Sequence, residues 1–209
     1  ARQQSLVDEL LPRLRVSRDQ VEAATPEALF GPGAREIWLE IGFGGGEHLV
    51  WHAARNAQVG FIGCEPFIDG VVKVLSAIDG QGLGNIRLFD DDARDLLRWL
   101  PEQSIGRVFV LFPDPWPKTR HRKRRLVSER TLALLARVMK SGAELRVGTD
   151  IADYVHTMLV AFAARPEFHW QATSPADWRV RPADWPETRY EQKARREGRR
   201  CYYFRWRRA

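Results

Sequence analysis

Carboxylates recur along this chain, each just after a short apolar run. Glu40 stands two residues before the first glycine of "LEIGFGGGEHL", Glu65 follows "VGFIGC", Asp90, Asp91 and Asp92 follow "NIRLF", and Asp114 follows "GRVFVLF". Gly42, Gly44 and Gly46 allow a tight turn, close approach of the backbone to a ligand and an exposed helix N-terminus. A dinucleotide fingerprint would need glycine or alanine at position 47, where Glu47 stands. An acid just ahead of the first glycine suits a cationic amine, not a pyrophosphate. Glu65 lies 19 residues beyond Gly46, where an acid can take both ribose hydroxyls. An acid of "DDDARD" can accept from an adenine amino group. An amine, a ribose and an adenine without phosphates describe S-adenosylmethionine. The same residues also have a structural reading, as a turn serving only the backbone and as solvated loop acids. Three acids at three successive strand ends count against it.

The fourth apolar run opens into "FPDPWPKTRHRKRR", from Phe112 to Arg125, where one acid sits a few residues from six cations. The chain carries 33 Lys and Arg against 27 Asp and Glu, net +6. Lys118 to Arg125 contains six Lys/Arg and no acid, and Thr188 to Ala209 contains nine against Glu191 and Glu197. Clustered cations beside aromatics are the footprint of a phosphate-backbone partner. The competing reading of the first run is a solvated helix face over 123–130. The two cysteines, Cys64 and Cys201, lie far apart and predict neither a disulfide framework nor a zinc site. No His/Cys/Asp cluster has metal-ligand spacing, so no metal is expected. No run of about 18 apolar residues predicts a membrane span. The first residues lack the apolar core of a secretory signal, and a cytoplasmic protein is the simplest expectation.

The elements that must position these side chains follow from periodicity. "EIWLEIGF", "VGFIGCE", "NIRLFD", "GRVFVLF" and "GAELRVGT" read as strands. Between and after them, "EHLVWHAARNA", "PFIDGVVKVLSAI", "DARDLLRWL", "RRLVSERTLALLARVMK" and "DIADYVHTMLVAFAAR" read as helices. Strands alternating with helices at this pitch predict an α/β fold with a doubly wound, mostly parallel sheet. Right-handed crossovers place every strand C-terminus on one edge, where ligands bind. The stretch from Arg181 is polar and basic and finishes as a strand over Cys201 to Trp206.

The position after the fourth strand faces the methyl donor in a methyltransferase sheet. Amino-directed enzymes place an Asp/Asn/Ser-Pro-Pro-aromatic loop there, and Asp114-Pro115-Trp116 lacks the second proline, which argues against an exocyclic amine as target. Together "LEIGFGGG", "GCEPF", "DDDARD", "LFPDPWPKTRHRKRR", "GTD" and "TRYE" occur in the order and spacing of the bacterial tRNA (guanine-N7-)-methyltransferases, which the chain resembles from about Leu29 to Trp206. The proline–tryptophan–basic run and the late T-x-[FY]-E are specific to that family; the glycine motif is generic. The resemblance implies a seven-stranded Rossmann-like class I methyltransferase sheet with its last strand antiparallel. It also implies methylation of a guanine in the tRNA variable loop with S-adenosylmethionine. On the cofactor side it implies Glu40, Gly42, Gly44, Gly46, Glu65, Asp92 and Ala93; Asp92 is chosen among the three aspartates because an alanine follows it. It implies a catalytic role for Asp114 and substrate-side roles for Lys118, Asp150, Thr188, Arg189, Tyr190 and Glu191, to which the phosphate reading adds Arg122, Lys123 and Arg124. One methyltransferase domain over 1–209 is expected, with an N-terminal helical extension over 1–34 and a basic substrate-side insertion over 175–200. Expected partners are tRNA and no membrane, with the protein a monomer or homodimer.

Guanine N7 carries an in-plane lone pair, so methylation there needs no general base. The task is alignment of nucleophile, methyl and leaving group, worth up to about 7–11 kcal/mol. Transfer moves positive charge onto the purine, and a carboxylate at the N1–H and N2–H2 edge favours that product. Asp114 is the first candidate, with Asp150 and Glu191 as helpers. Asp150 also reads as a helix N-cap, and Thr188 with Glu191 as a capping box. Trp116 either stacks on a splayed base or packs under the proline loop, and His121 reads as a phosphate or backbone contact. Two other readings stay open: a class I methyltransferase acting on another RNA atom, and a non-catalytic RNA-binding protein of the same fold. Retention of every glycine and strand-end acid argues against the second.

Overall fold

The apolar runs become strands because their side chains are buried on both faces of one sheet, as a parallel sheet covered by helices requires. The computed structural model describes residues 2–23 and 25–209. Its strands are β1 (Glu36–Ile41), β2 (Val59–Cys64), β3 (Ile86–Phe89), β4 (Ile105–Leu111), β5 (Met139–Thr149), β6 (Phe168–Trp170) and β7 (Tyr202–Arg208). They form a single sheet in the order β3-β2-β1-β4-β5-β7-β6. The first five pair in parallel, and β7 runs antiparallel to both β5 and β6. The expected architecture, with its antiparallel last strand, is what the structure shows. Chain order reverses direction between β1 and β4, so the crevice of the sheet opens between their C-terminal ends.

The helices are α1 (Arg2–Ser5), α2 (Leu11–Leu14), α3 (Arg18–Ala23), α4 (Glu47–Arg55), α5 (Ile68–Gln81), α6 (Ala93–Trp99), α7 (Glu129–Val138), α8 (Ala152–Ala163), α9 (Ala176–Arg179) and α10 (Arg189–Arg196). Two core layers result. One packs Ile37, Leu39, Val108 and Val110 against α6, α7 and α8, and the other packs Trp38, Phe61 and Phe109 against α4 and α5. A π-helical turn, Leu6–Leu10, joins α1 to α2 and buries Leu6. This N-terminal segment ends against the sheet: Val16 N–H donates to Leu88 O at 2.8 Å and Arg15 pairs with Asp90 at 2.6 Å. It thereby covers β3, an edge that would otherwise offer unpaired backbone.

Three differences from the sequence reading have local causes. The helix expected from Arg124 starts only at α7, where the Ser128 side chain accepts from Thr131 N–H. Before it, Thr119–Arg124 forms a 3-10 turn, ended when Arg125 adopts an extended ψ of 131°. The helix also stops early, since Met139 already belongs to β5. The tail carries more structure than its polarity indicated: β6, α9 and α10 precede the final strand. Thr188 caps α10 by accepting from Glu191 N–H.

Both cysteines are free and buried. Among the described residues no helix is long and apolar enough to cross a membrane, and no group of His, Cys, Asp and Glu could hold a metal ion.

Candidate active site

A cavity of about 520 Å³ lies at the C-terminal ends of β1, β2, β3 and β4. The turn after β1 supplies Gly42, Gly44 and Gly45, the loops after β2 and β3 supply Glu65, Asp91, Asp92 and Ala93, and the loop after β4 supplies Asp114 and Trp116. Arg189 and Tyr190 reach it from α10.

The glycines explain how backbone comes so near this space. Gly42, Gly44 and Gly46 have φ of 73°, 56° and 79°, the left-handed region that other residues enter only with strain. Gly44 N–H donates to Glu65 Oε2 at 2.8 Å, and Phe67 N–H donates to Oε1 at 3.1 Å. Glu65 therefore braces the turn against the end of β2 while lining the cavity. Of the three aspartates, Asp90 is taken by Arg15, whereas Asp91 and Asp92 line the cavity. Asp92 caps α6 by accepting from Arg94 N–H at 2.9 Å and pairs with the Arg94 guanidinium at 3.0 Å. Glu40 does not line the cavity. Its carboxylate is buried below the turn and accepts from His48 Nδ1–H at 2.7 Å. That contact leaves it bracing α4, one layer removed from the ligand space.

Asp114 is exposed, lines the cavity and has no hydrogen-bond partner among the described residues. Its loop is held on both sides. Phe112 N–H donates to Gly148 O at 2.7 Å, and Arg125 Nε donates to Pro115 O at 2.8 Å. Phe112 and Trp116, two residues before and after Asp114, have φ of 51° and 42°. Left-handed bulky residues are strained, and strain of this kind persists only where surrounding contacts over-determine it. Trp116 lies edge-on to His121 at 6.0 Å and under the Arg124 guanidinium at 4.9 Å.

The basic run divides by environment. Lys118, Arg120 and Lys123 make no ion pair among the described residues and are exposed. Arg122 pairs with Asp153 at 2.9 Å, and Arg124 lines the cavity. Arg125, read with the run as a phosphate contact, is instead buried: Nη2 meets Asp153 at 2.5 Å, Nη1 meets Thr157 Oγ1 at 2.5 Å, and the guanidinium covers the Tyr154 ring at 4.7 Å. Its contact holds the Asp153 carboxyl below the ordinary carboxylate range, with Arg122 adding to the effect.

Asp150 pairs with Arg199 at 2.6 Å and does not cap α8; Ile151 occupies the cap position there. The T-R-Y-E stretch also divides. Thr188 and Glu191 are buried, with Glu191 accepting from Tyr203 Oη–H at 2.5 Å and lying 3.1 Å from Arg181 Nε. Burial raises the Glu191 carboxyl above its ordinary range, with Tyr203 and Arg181 opposing. Only the middle pair, Arg189 and Tyr190, faces the cavity. Sequence reasoning passed over Glu47 as a partner of Arg189 and Arg125 as a loop anchor, because both contacts join segments far apart in the chain.

The strand order, the glycine turn at the switch point and the acids converging on one cavity define a Rossmann-like α/β methyltransferase. A family model described as "Putative methyltransferase" matches residues 34–204. The chain is 48% identical over 207 residues to the tRNA (guanine-N(7)-)-methyltransferase of Zymomonas mobilis, covering 99% of this chain and 88% of that one. It is 55% identical over 181 residues to the enzyme of the same name from Ruegeria pomeroyi, covering 87% and 75%. The chain belongs to the tRNA (guanine-N(7)-)-methyltransferase family. Among solved structures, an antibiotic-related methyltransferase aligns at TM-score 0.59 and 16% identity over 91% of this chain and 93% of that one. The aminoglycoside resistance methyltransferase NpmB1 aligns at 0.57 and 17%, over 93% and 95%. These two likenesses support the fold.

Proposed function

We propose that the protein transfers a methyl group from S-adenosylmethionine to N7 of a guanine in the variable loop of tRNA. The observation that carries this reading is Asp114: a carboxylate without a partner among the described residues, fixed between two left-handed residues, facing the same cavity as the glycine turn. The residues present fit the donor. A backbone cradle at Gly42 and Gly44 comes with Glu65, Asp91 and Asp92, groups that accept from hydroxyl and amino donors and disfavour phosphate. When bound, S-adenosylmethionine supplies an activated methyl on a sulfonium centre.

The chain's own residues do the rest. Glu65 and Asp92 orient the adenosyl end from β2 and β3. Glu40 acts through His48 to hold α4 behind the turn. Asp114 accepts from the N1–H and N2–H2 edge of guanine, and favours the positive charge that the purine gains on methylation. Proline on both sides and the Arg125 anchor keep that carboxylate in place, so little reorganisation accompanies reaction. Lys118, Arg122, Lys123 and Arg124, in the basic run that follows Asp114, track phosphates, which position the RNA without choosing the base. Thr188 and Glu191 build the start of α10, and Arg189 and Tyr190 project from it toward the ligand. Asp150, paired with Arg199, ties β5 to the segment that follows α10.

Incubation with unmodified tRNA and labelled S-adenosylmethionine, followed by digestion to nucleosides, tests the assignment. The expected product is 7-methylguanosine; label on an exocyclic amine or on another base would overturn it.

A further inference from the structure

One glycine of the turn is not required by its backbone conformation. Gly42, Gly44 and Gly46 have left-handed backbone, but Gly45 does not. The space beside Gly45 holds Arg189: a Cβ there would lie 2.0 Å from Nη2 and 2.3 Å from Cζ. At Gly44 a Cβ would lie 2.7 Å from Cε2 and 3.0 Å from the hydroxyl of Tyr190. Arg189 Nε also donates to Glu47 Oε1 at 2.5 Å. Glu47 is the first residue of α4, where the helix dipole favours a negative charge. Behind these contacts α10 is anchored by the buried Glu191 on Tyr203. The two residues of α10 that face the cavity thus lie flat on the glycine turn.

We infer that Glu47 and Arg189 are a positioning pair that seats Tyr190 as a roof over the methyl-donor cavity, so that exchange of the donor requires the start of α10 to lift off the turn. The absence of a side chain at Gly45 is what lets the guanidinium lie there. The inference rests on the proposed use of this cavity by an adenosyl ligand, and it is independent of which RNA atom is methylated.

The test is the release rate of S-adenosylhomocysteine, measured by stopped-flow displacement from the intact protein without RNA. Gly45→Ala displaces the guanidinium without left-handed strain, Glu47→Gln removes the charge at constant size, and Arg189→Lys keeps a cation. The first two are expected to speed release about three- to fivefold, the scale of one partly exposed ion pair. Arg189→Lys is expected to stay within about twofold by the same measure. In the Glu47→Gln background, Gly45→Ala adds nothing, because both remove one contact. Melting temperatures report that each variant is folded. Release at the unsubstituted rate in both Gly45→Ala and Glu47→Gln would overturn the roof, as would an undiminished effect of Gly45→Ala in the Glu47→Gln background. Failure of the unsubstituted protein to bind S-adenosylhomocysteine would overturn the donor assignment and the roof with it.

Discussion

At the scale of single residues, the acids of the site hold unequal positions. Asp114 has no hydrogen-bond partner among the described residues, Glu65 is shared between the turn and the cavity, and Glu40 is committed to His48. Their substitutions should therefore separate. Glu65→Ala removes an acceptor and frees Gly44 N–H, so S-adenosylhomocysteine affinity should fall about tenfold or more, as for a lost charge-assisted hydrogen bond; isothermal titration reads it. Glu40→Gln should change affinity far less but lower the melting temperature, since the deficit falls on buried His48. Titration of His52 adds a pH signature. Burial holds its imidazole down to about 3, with neighbouring His48, Arg146 and Arg107 acting the same way and Asp184 opposing. Its folded-state value lies below the unfolded one, so the unfolded chain takes up the proton first. Stability should thus fall as pH drops from about 6.5, before the carboxylates titrate. Replacing His52 with leucine should flatten that limb of a plot of melting temperature against pH.

At the scale of elements, the loop after β4 depends on α8 more than on its own prolines. Arg125 fills hydrogen bonds to Pro115, Thr157 and Asp153 at once and is 1% exposed. Arg125→Met should cost about 2 kcal/mol of stability through these lost bonds. It should also slow methyl transfer by loosening Asp114, whereas Arg122→Gln, at an exposed arginine on the same Asp153, should do neither; denaturant melts and single-turnover rates check both. This anchoring was not legible in the sequence. Periodicity revealed five parallel strands and their helices because each has one clear burial pattern. It merged Arg125 with a run of phosphate-seeking cations, because composition records charge and not the Asp153 and Tyr154 that meet it from 28 and 29 residues away. It likewise left β6 and α10 unassigned: three residues make too short a pattern, and a polar helix held by Thr188 and Glu191 shows only its cap.

At the scale of the whole molecule, the sheet gathers its strand ends into one edge, and the acids there share the cavity with Arg94, Arg124 and Arg189. Lys118, Arg120 and Lys123 lie outside its lining, exposed and without an ion pair among the described residues. Replacing these three with glutamine should flatten the dependence of tRNA affinity on salt by about 0.7 per lost phosphate contact in log–log form. Replacing Arg125 alone, buried against Asp153, should leave that slope nearly unchanged. The central claim is that Asp114 serves the reaction and the outer cations serve binding. Its most direct test is a single-turnover rate of tRNA methylation by Asp114→Asn, measured beside its tRNA dissociation constant in one buffer. Loss of a preorganised electrostatic contact predicts a rate lower by about 10²–10³ with tRNA binding within a few-fold of the unsubstituted protein. An unsubstituted rate, or a loss explained wholly by weaker tRNA binding, would contradict it.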